Sequence, residues 1–292
     1  MPNDCLTNGE IRLEVSRHGA ELVSLTRRGV GFLYRDGDLS APTQGWANHA
    51  TVMGYFLHRL KNERSLYRGR LITGGTHGFL RKKDWPPPIV DEKNASLTYR
   101  MTREEFTELE YPLNVSLDLT YAIDGEDVRV TFYFVNHETE LAAHVGFGLH
   151  PGFAATSFES FHFEMPPGLY RRHFSPNNFL SGETEDIEFG GGEMPFARDK
   201  LPGSYILEFV DVPERRFRFV DLASGRAVSL DLHDVPYLTL WSDGGPFLCI
   251  EPCWGLTDYD QQRAFEEKEG IQHIPPSGEL RANFSMTPRL TS

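Results

Sequence analysis

Strict two-residue alternation dominates the middle of this chain and limits what it can fold into. Leu113, Val115, Leu117, Leu119 and Tyr121 alternate with Asn114, Ser116, Asp118 and Thr120. After Asp124-Gly125, Val128, Val130, Phe132 and Phe134 alternate with Arg129, Thr131 and Tyr133. A strand turns successive side chains to opposite faces, so each run reads as a strand with one buried face. Two such runs joined by Asp-Gly read as a β-hairpin. A second hairpin is expected around Ser224-Gly225, between Phe217/Phe219 and Val228/Leu230/Leu232. Further strands are expected at 11–15, 22–26, 97–101, 143–148, 161–165, 206–210, 237–241 and 247–250. Helical periodicity is scarce, and its best window is 260–269. The stretch 181–203, with Gly190-Gly191-Gly192, Pro195 and Pro202, reads as a long loop. Close-spaced strands punctuated by glycine and proline predict stacked antiparallel sheets rather than βαβ units.

Length sets the scale of that architecture. At 292 residues, with 39% hydrophobic and 24% charged residues, the chain can bury a sizeable core. No repeat or compositional boundary divides it, so residues 1–292 are expected to form one domain. A formal charge of −13 disfavours phosphate backbones and anionic lipid, which argues against nucleic-acid and membrane partners. The basic clusters Arg64/Arg68/Arg70, Arg81/Lys82/Lys83 and Arg171/Arg172/His173 read as solvated surface. No apolar run is long enough to span a bilayer, and the N-terminus carries no basic-then-apolar signal. A cytoplasmic location is expected. Cys5, Cys249 and Cys253 form no framework, and no second His/Cys motif accompanies the latter two, so no metal is expected.

Familiar catalytic motifs are missing. There is no Walker A sequence, no G-x-G-x-x-G after a strand, no H-E-x-x-H and no G-x-S-x-G. Three segments instead place polar residues at the ends of apolar runs: Thr76-His77-Gly78-Phe79-Leu80-Arg81, Gly146-Phe147-Gly148-Leu149-His150-Pro151, and Phe247-Leu248-Cys249-Ile250-Glu251-Pro252-Cys253-Trp254. His150 and Glu251 each precede a proline, so their strands are expected to stop there. A carboxylate in such a place is costly unless paired or functional, and desolvation raises its pKa toward that of a general base. Histidine suits the general acid. Trp254 could stack on the apolar face of a sugar ring. Taken singly, each residue has a plainer reading: His77 bonded to a backbone carbonyl, His150 capping a strand end, Glu251 in a buried ion pair with Arg59 or Arg81.

Together, in this order, the three segments resemble the aldose 1-epimerase (galactose mutarotase) family, closest to its LacX-like branch. Gly19-Ala20-Glu21-Leu22, Tyr237-Leu238-Thr239-Leu240-Trp241-Ser242, Lys268-Glu269-Gly270-Ile271 and Pro276-Ser277-Gly278-Glu279 extend the likeness over roughly residues 10–290. The resemblance implies an all-β, galactose mutarotase-like supersandwich with a sugar cleft on one sheet. It implies Glu251 as the base that takes the anomeric hydroxyl proton and His150 as the acid at the ring oxygen. His77 and Arg59 would bind substrate, with Arg81 in the same histidine-glycine motif. Neither metal nor organic cofactor is implied. The chain departs from the family pattern at Tyr55 and His58, where proline and glycine are usual. Ser204 lies where an aspartate is frequent, with Asp199 nearby.

Four functions remain open to the sequence. An aldose 1-epimerase comes first. A hexose-phosphate 1-epimerase is next, with Arg59, Arg81 and His58 as phosphate ligands. A carbohydrate-binding or sensing protein without turnover follows. A glycoside-cleaving enzyme comes last, because it needs a second carboxylate.

Overall fold

The computed structural model describes residues 3–35, 46–194, 201 and 203–291. Among these the protein is nearly all β. A nine-stranded sheet and an eight-stranded sheet carry most of the strands, beside a four-stranded sheet and a two-stranded hairpin. The helical pieces are 3-10 turns of three residues. No helix among the described residues is long and apolar enough to cross a membrane.

The first hairpin forms as the alternation requires. Val115–Asp124 pairs with Asp127–Asn136, Val115 facing Asn136 and Asp124 facing Asp127. The second joins Arg216–Asp221 to Arg226–Asp231. Both belong to the nine-stranded sheet. Its apolar side meets the eight-stranded sheet: Phe132 and Phe134 lie 5.1 and 4.7 Å, ring to ring, from Phe147.

At the centre of the eight-stranded sheet lie Tyr237–Trp241, Phe247–Trp254 and Ala143–Ala154, side by side and antiparallel. Ala50–Tyr55 also pairs with Ala143–Ala154. We call Ala143–Ala154 the histidine strand and Phe247–Trp254 the glutamate strand. Odd residues of the histidine strand, such as Phe147 and Phe153, enter the core. Its even residues, Gly146, Gly148, His150 and Gly152, face the other way.

Three expectations need correction. The two strands do not stop at His150 and Glu251 but run through Pro151 and Pro252 to Ala154 and Trp254. The prolines are tolerated because the ladder between these strands is interrupted between the pairs Gly148–Cys253 and Gly152–Cys249, where a missing N–H costs no bond. The segment 181–203 is not all loop: Thr184–Phe189 and Gly192–Glu193 are strands at the outer edges of the two large sheets. The window 260–269 yields only the 3-10 turn Phe265–Glu267, with Phe265 and Lys268 packed inward and most of the other residues toward the surface.

Candidate active site

A cleft of about 430 Å³ opens on the sheet face opposite the core. Its floor is set by register. The pairs Gly148–Cys253 and Gly152–Cys249 bracket His150 and Glu251, which therefore stand opposite each other with side chains on one face. His150 Nε2 lies 3.2 Å from Glu251 Oε1. Thr51 faces His150 from one neighbouring strand and Thr239 faces Glu251 from the other. Gly148 permits the approach, because a Cβ there would stand 2.3 Å from Pro252 O. Gly152 makes room for Trp46, whose ring a Cβ would meet at 2.4 Å. Trp46 stacks on the His150 imidazole at 4.9 Å, and Trp241 meets it edge-on at 6.0 Å.

The other histidines arrive on a backbone clamp. His77 N donates to His58 O, Gly54 N to His77 O, and Phe79 N to Gly54 O. The clamp needs Gly78, which has φ +73°, and a Cβ there would lie 2.0 Å from Gly54 O. It leaves His77 edge-on to His150 at 5.1 Å and 5.4 Å from the His58 ring. On the rim, Gly19 N donates to Lys83 O and its backbone abuts that of Arg81. This turn, part of Gly19-Ala20-Glu21-Leu22, braces the 3-10 turn that carries Arg81.

Burial sets the electrostatics. Desolvation pushes the Glu251 carboxyl well above the usual range. Desolvation, with the nearby His58, pulls His150 down. His58 is held at about 3 by burial and then by Lys268 and Arg59. His77 also falls well below its ordinary value, through burial and then its neighbour His150. Both shifts favour the uncharged form of each partner, a carboxyl beside a neutral imidazole. Glu251 Oε2, His150 Nδ1 and His77 Nδ1 are buried without hydrogen-bond partners. An unpartnered buried acceptor costs about 1–3 kcal/mol, so the floor is poorly satisfied as it stands.

Of the residues expected from sequence, His77, His150, Glu251, Arg59 and Arg81 all line this cleft. Glu251 pairs with His150 and with neither arginine. Trp254 does not take part, which corrects that expectation. Three residues beyond Glu251, it has the opposite parity and points into the core. There it stacks on Phe147 at 5.0 Å, is 3% exposed, and donates Nε1–H to Asp234 O. Trp241 and Trp46 occupy the cleft instead. Trp241 was findable, since it has the parity of Thr239. Trp46 carries no local signal. Of the departures from the family pattern, His58 and Ser204 line the cleft. Tyr55 lies in the core, donating its hydroxyl to Val115 O. Asp199 lies outside the described residues.

A sandwich of large antiparallel sheets, with a buried carboxyl–imidazole pair under an open polar cleft, is the class of protein that fold and site define. The aldose 1-epimerase family model matches residues 5–165, more than half of the chain, and the protein belongs to that family. Protein LacX of Lactococcus lactis subsp. lactis is 24% identical over 306 aligned residues, covering 97% of this chain and 98% of LacX. A galactose mutarotase related enzyme from Lactobacillus acidophilus has TM-score 0.89 and 26% identity, over 99% of this chain and 98% of that one. A galactose mutarotase-like protein from Lactobacillus casei has TM-score 0.85 and 22% identity, over 98% and 100%.

Proposed function

We propose that this protein interconverts the α and β anomers of an aldose by paired acid–base catalysis. The observation that carries this reading is the 3.2 Å contact between His150 Nε2 and Glu251 Oε1 on the cleft floor. A bound hemiacetal inserts its O1–C1–O5 unit into that contact. Its O1 hydroxyl donates to Glu251, supplying the bond that the buried carboxylate lacks. This favours the ionised form of the pair, carboxylate beside imidazolium. Glu251 takes the O1 proton, His150 protonates the ring oxygen, and the C1–O5 bond breaks. Rotation about C1–C2 presents the other face of the aldehyde. On closure His150 recovers its proton and Glu251 returns one to O1, so the pair ends as it began. No net proton leaves the site, and two groups with separated pKa values suffice. Trp46 and Trp241 offer apolar faces to the ring, and His77, Arg59 and Arg81 offer donors to its hydroxyls.

The cleft favours this over the other readings. Glu251 is the only carboxylate among the described residues that line it, and glycoside cleavage needs two. Arg59 and Arg81 support a second version in which the aldose is phosphorylated: among the described residues neither guanidinium forms an ion pair, and both line the cleft. Arginine binds phosphate by paired N–H donors. Proton exchange spectroscopy of anomeric signals tests both. The expected result is faster α–β exchange for one sugar in a panel of hexoses, pentoses and their 6-phosphates. No acceleration across the panel, with saturable sugar binding, would favour a sensor instead. Preference for a 6-phosphate that is lost in Arg59→Ala would select the phosphorylated substrate.

A further inference from the structure

Spacing alone gives Cys253 no metal motif, but the fold supplies a partner set. Cys253 follows Glu251 by two residues on the glutamate strand, so the two side chains share a face. His58 reaches the same place from the segment after Ala50–Tyr55, in a left-handed conformation with φ 52°. Ligand atoms of His58, Cys253 and Glu251 all lie within 4.8 Å of one another, and all three residues are buried. His58 Nε2 and Cys253 Sγ are 4.0 Å apart. In a tetrahedral zinc site with bonds of about 2.0–2.3 Å, adjacent ligand atoms stand about 3.3–3.7 Å apart. Closing the trio onto an ion takes shifts of about 1 Å, within reach of side-chain rotation.

A second observation points to a cation. Glu251 Oε2 is buried and accepts no hydrogen bond, although its residue is 1% exposed. Behind the trio, Thr239 Oγ1 lies 3.8 Å from Cys253 Sγ and can orient the sulfur, as outer partners do in metal sites. We propose that His58, Cys253 and Glu251 form a binding site for a divalent transition metal of the zinc class. A nitrogen, a sulfur and a single carboxylate favour such an ion over magnesium or calcium, which prefer all-oxygen shells. Three protein ligands leave the fourth position open toward the cleft. An ion there occupies the carboxylate that the proposed epimerase reaction needs as its base. Occupancy therefore switches that reaction off; this consequence, unlike the binding itself, rests on the proposed function.

The test uses the full chain, reduced and stripped with EDTA, and titrated with Co²⁺. The expected result is one equivalent bound, with a thiolate-to-cobalt charge-transfer band and the intense visible bands of a tetrahedral site. Cys253→Ser removes the charge-transfer band, and His58→Ala weakens binding at least about tenfold. Cys5→Ser, at an exposed cysteine, keeps the band. Absence of the band in the wild type, or its persistence in Cys253→Ser, overturns the site. Should Cys253→Ser fail to fold, unchanged binding in His58→Ala overturns it equally. Anomer exchange read on the same samples separates the two claims. Bound metal that abolishes exchange in the wild type, but spares Cys253→Ser, supports both. Bound metal without effect on measurable exchange supports the site and contradicts Glu251 as the base.

Discussion

Two carboxylates in this molecule are equally removed from water, Asp221 at 0% exposure and Glu251 at 1%, in opposite surroundings. Asp221 ends a strand of the nine-stranded sheet beside the Ser224-Gly225 turn. It accepts bonds from Thr156 N and Oγ1, Ser160 Oγ, Ser224 Oγ and an Arg226 guanidinium nitrogen. Burial pushes its carboxyl up, but the bonds from Ser160, Ser224 and Thr156 win and hold it at about 2. Glu251 meets one imidazole, leaves Oε2 unpartnered, and is pushed up by desolvation that nothing opposes. Burial is therefore not the mark that separates a structural acid from a candidate catalytic one. Satisfaction is. Asp221 is surrounded by donors that fix a turn, whereas Glu251 lacks a donor, the one that a sugar hydroxyl would bring in the proposed reaction.

That contrast predicts a double dissociation, and the largest effect lies at the cleft. Glu251→Gln should slow catalysed anomer exchange by about 10²–10⁴-fold, the usual worth of a general base. Exchange spectroscopy on the folded variant checks this. His150→Asn should lose about 10²-fold or more, since the acid is removed while the carboxyl stays. At the other site the effect should be on stability. Asp221→Asn turns an amide toward groups that donate, and should cost about 2–4 kcal/mol in urea unfolding, with the exchange rate retained.

Acid should separate the sites further. A carboxyl depressed by folding stabilises the native state above its unfolded pKa of about 3.9. The Asp221 contribution should thus be complete at neutral pH and fade as pH falls from about 4 through about 2. Urea midpoints across that range should fall less steeply in Asp221→Asn than in the wild type. The smallest effect should be on the stability of Glu251→Gln. Its amide replaces a carboxyl whose neutral form burial favours, and the change should stay within about 1 kcal/mol at neutral pH. A loss as large as that of Asp221→Asn would remove the distinction.

Much of this was legible in the chain. The alternation from Leu113 to Phe134 and the Asp-Gly signal specified a hairpin, and Val115–Asp124 pairs with Asp127–Asn136. His150, Glu251, His77, Arg59 and Arg81 were visible through the ordered motifs, and all line one cleft. The failures have physical causes. Proline after His150 and Glu251 looked like strand ends because local rules assume a continuous ladder, and here the ladder has a gap. Trp254 looked like a cleft residue because it is near Glu251 in sequence, but counting by two puts it in the core. The same counting puts Cys253 beside Glu251, a relation that motif spacing hides. Trp46 joins the site through contacts between distant segments, which no local pattern records.

The most direct test is anomer exchange measured side by side for the wild type, Glu251→Gln and Asp221→Asn, on the sugar that the wild type turns over fastest. The account predicts rapid exchange in the wild type and in folded Asp221→Asn, and background exchange in folded Glu251→Gln. Wild-type exchange in Glu251→Gln would contradict it, because the unpartnered carboxyl on the cleft floor would then have no part in the chemistry.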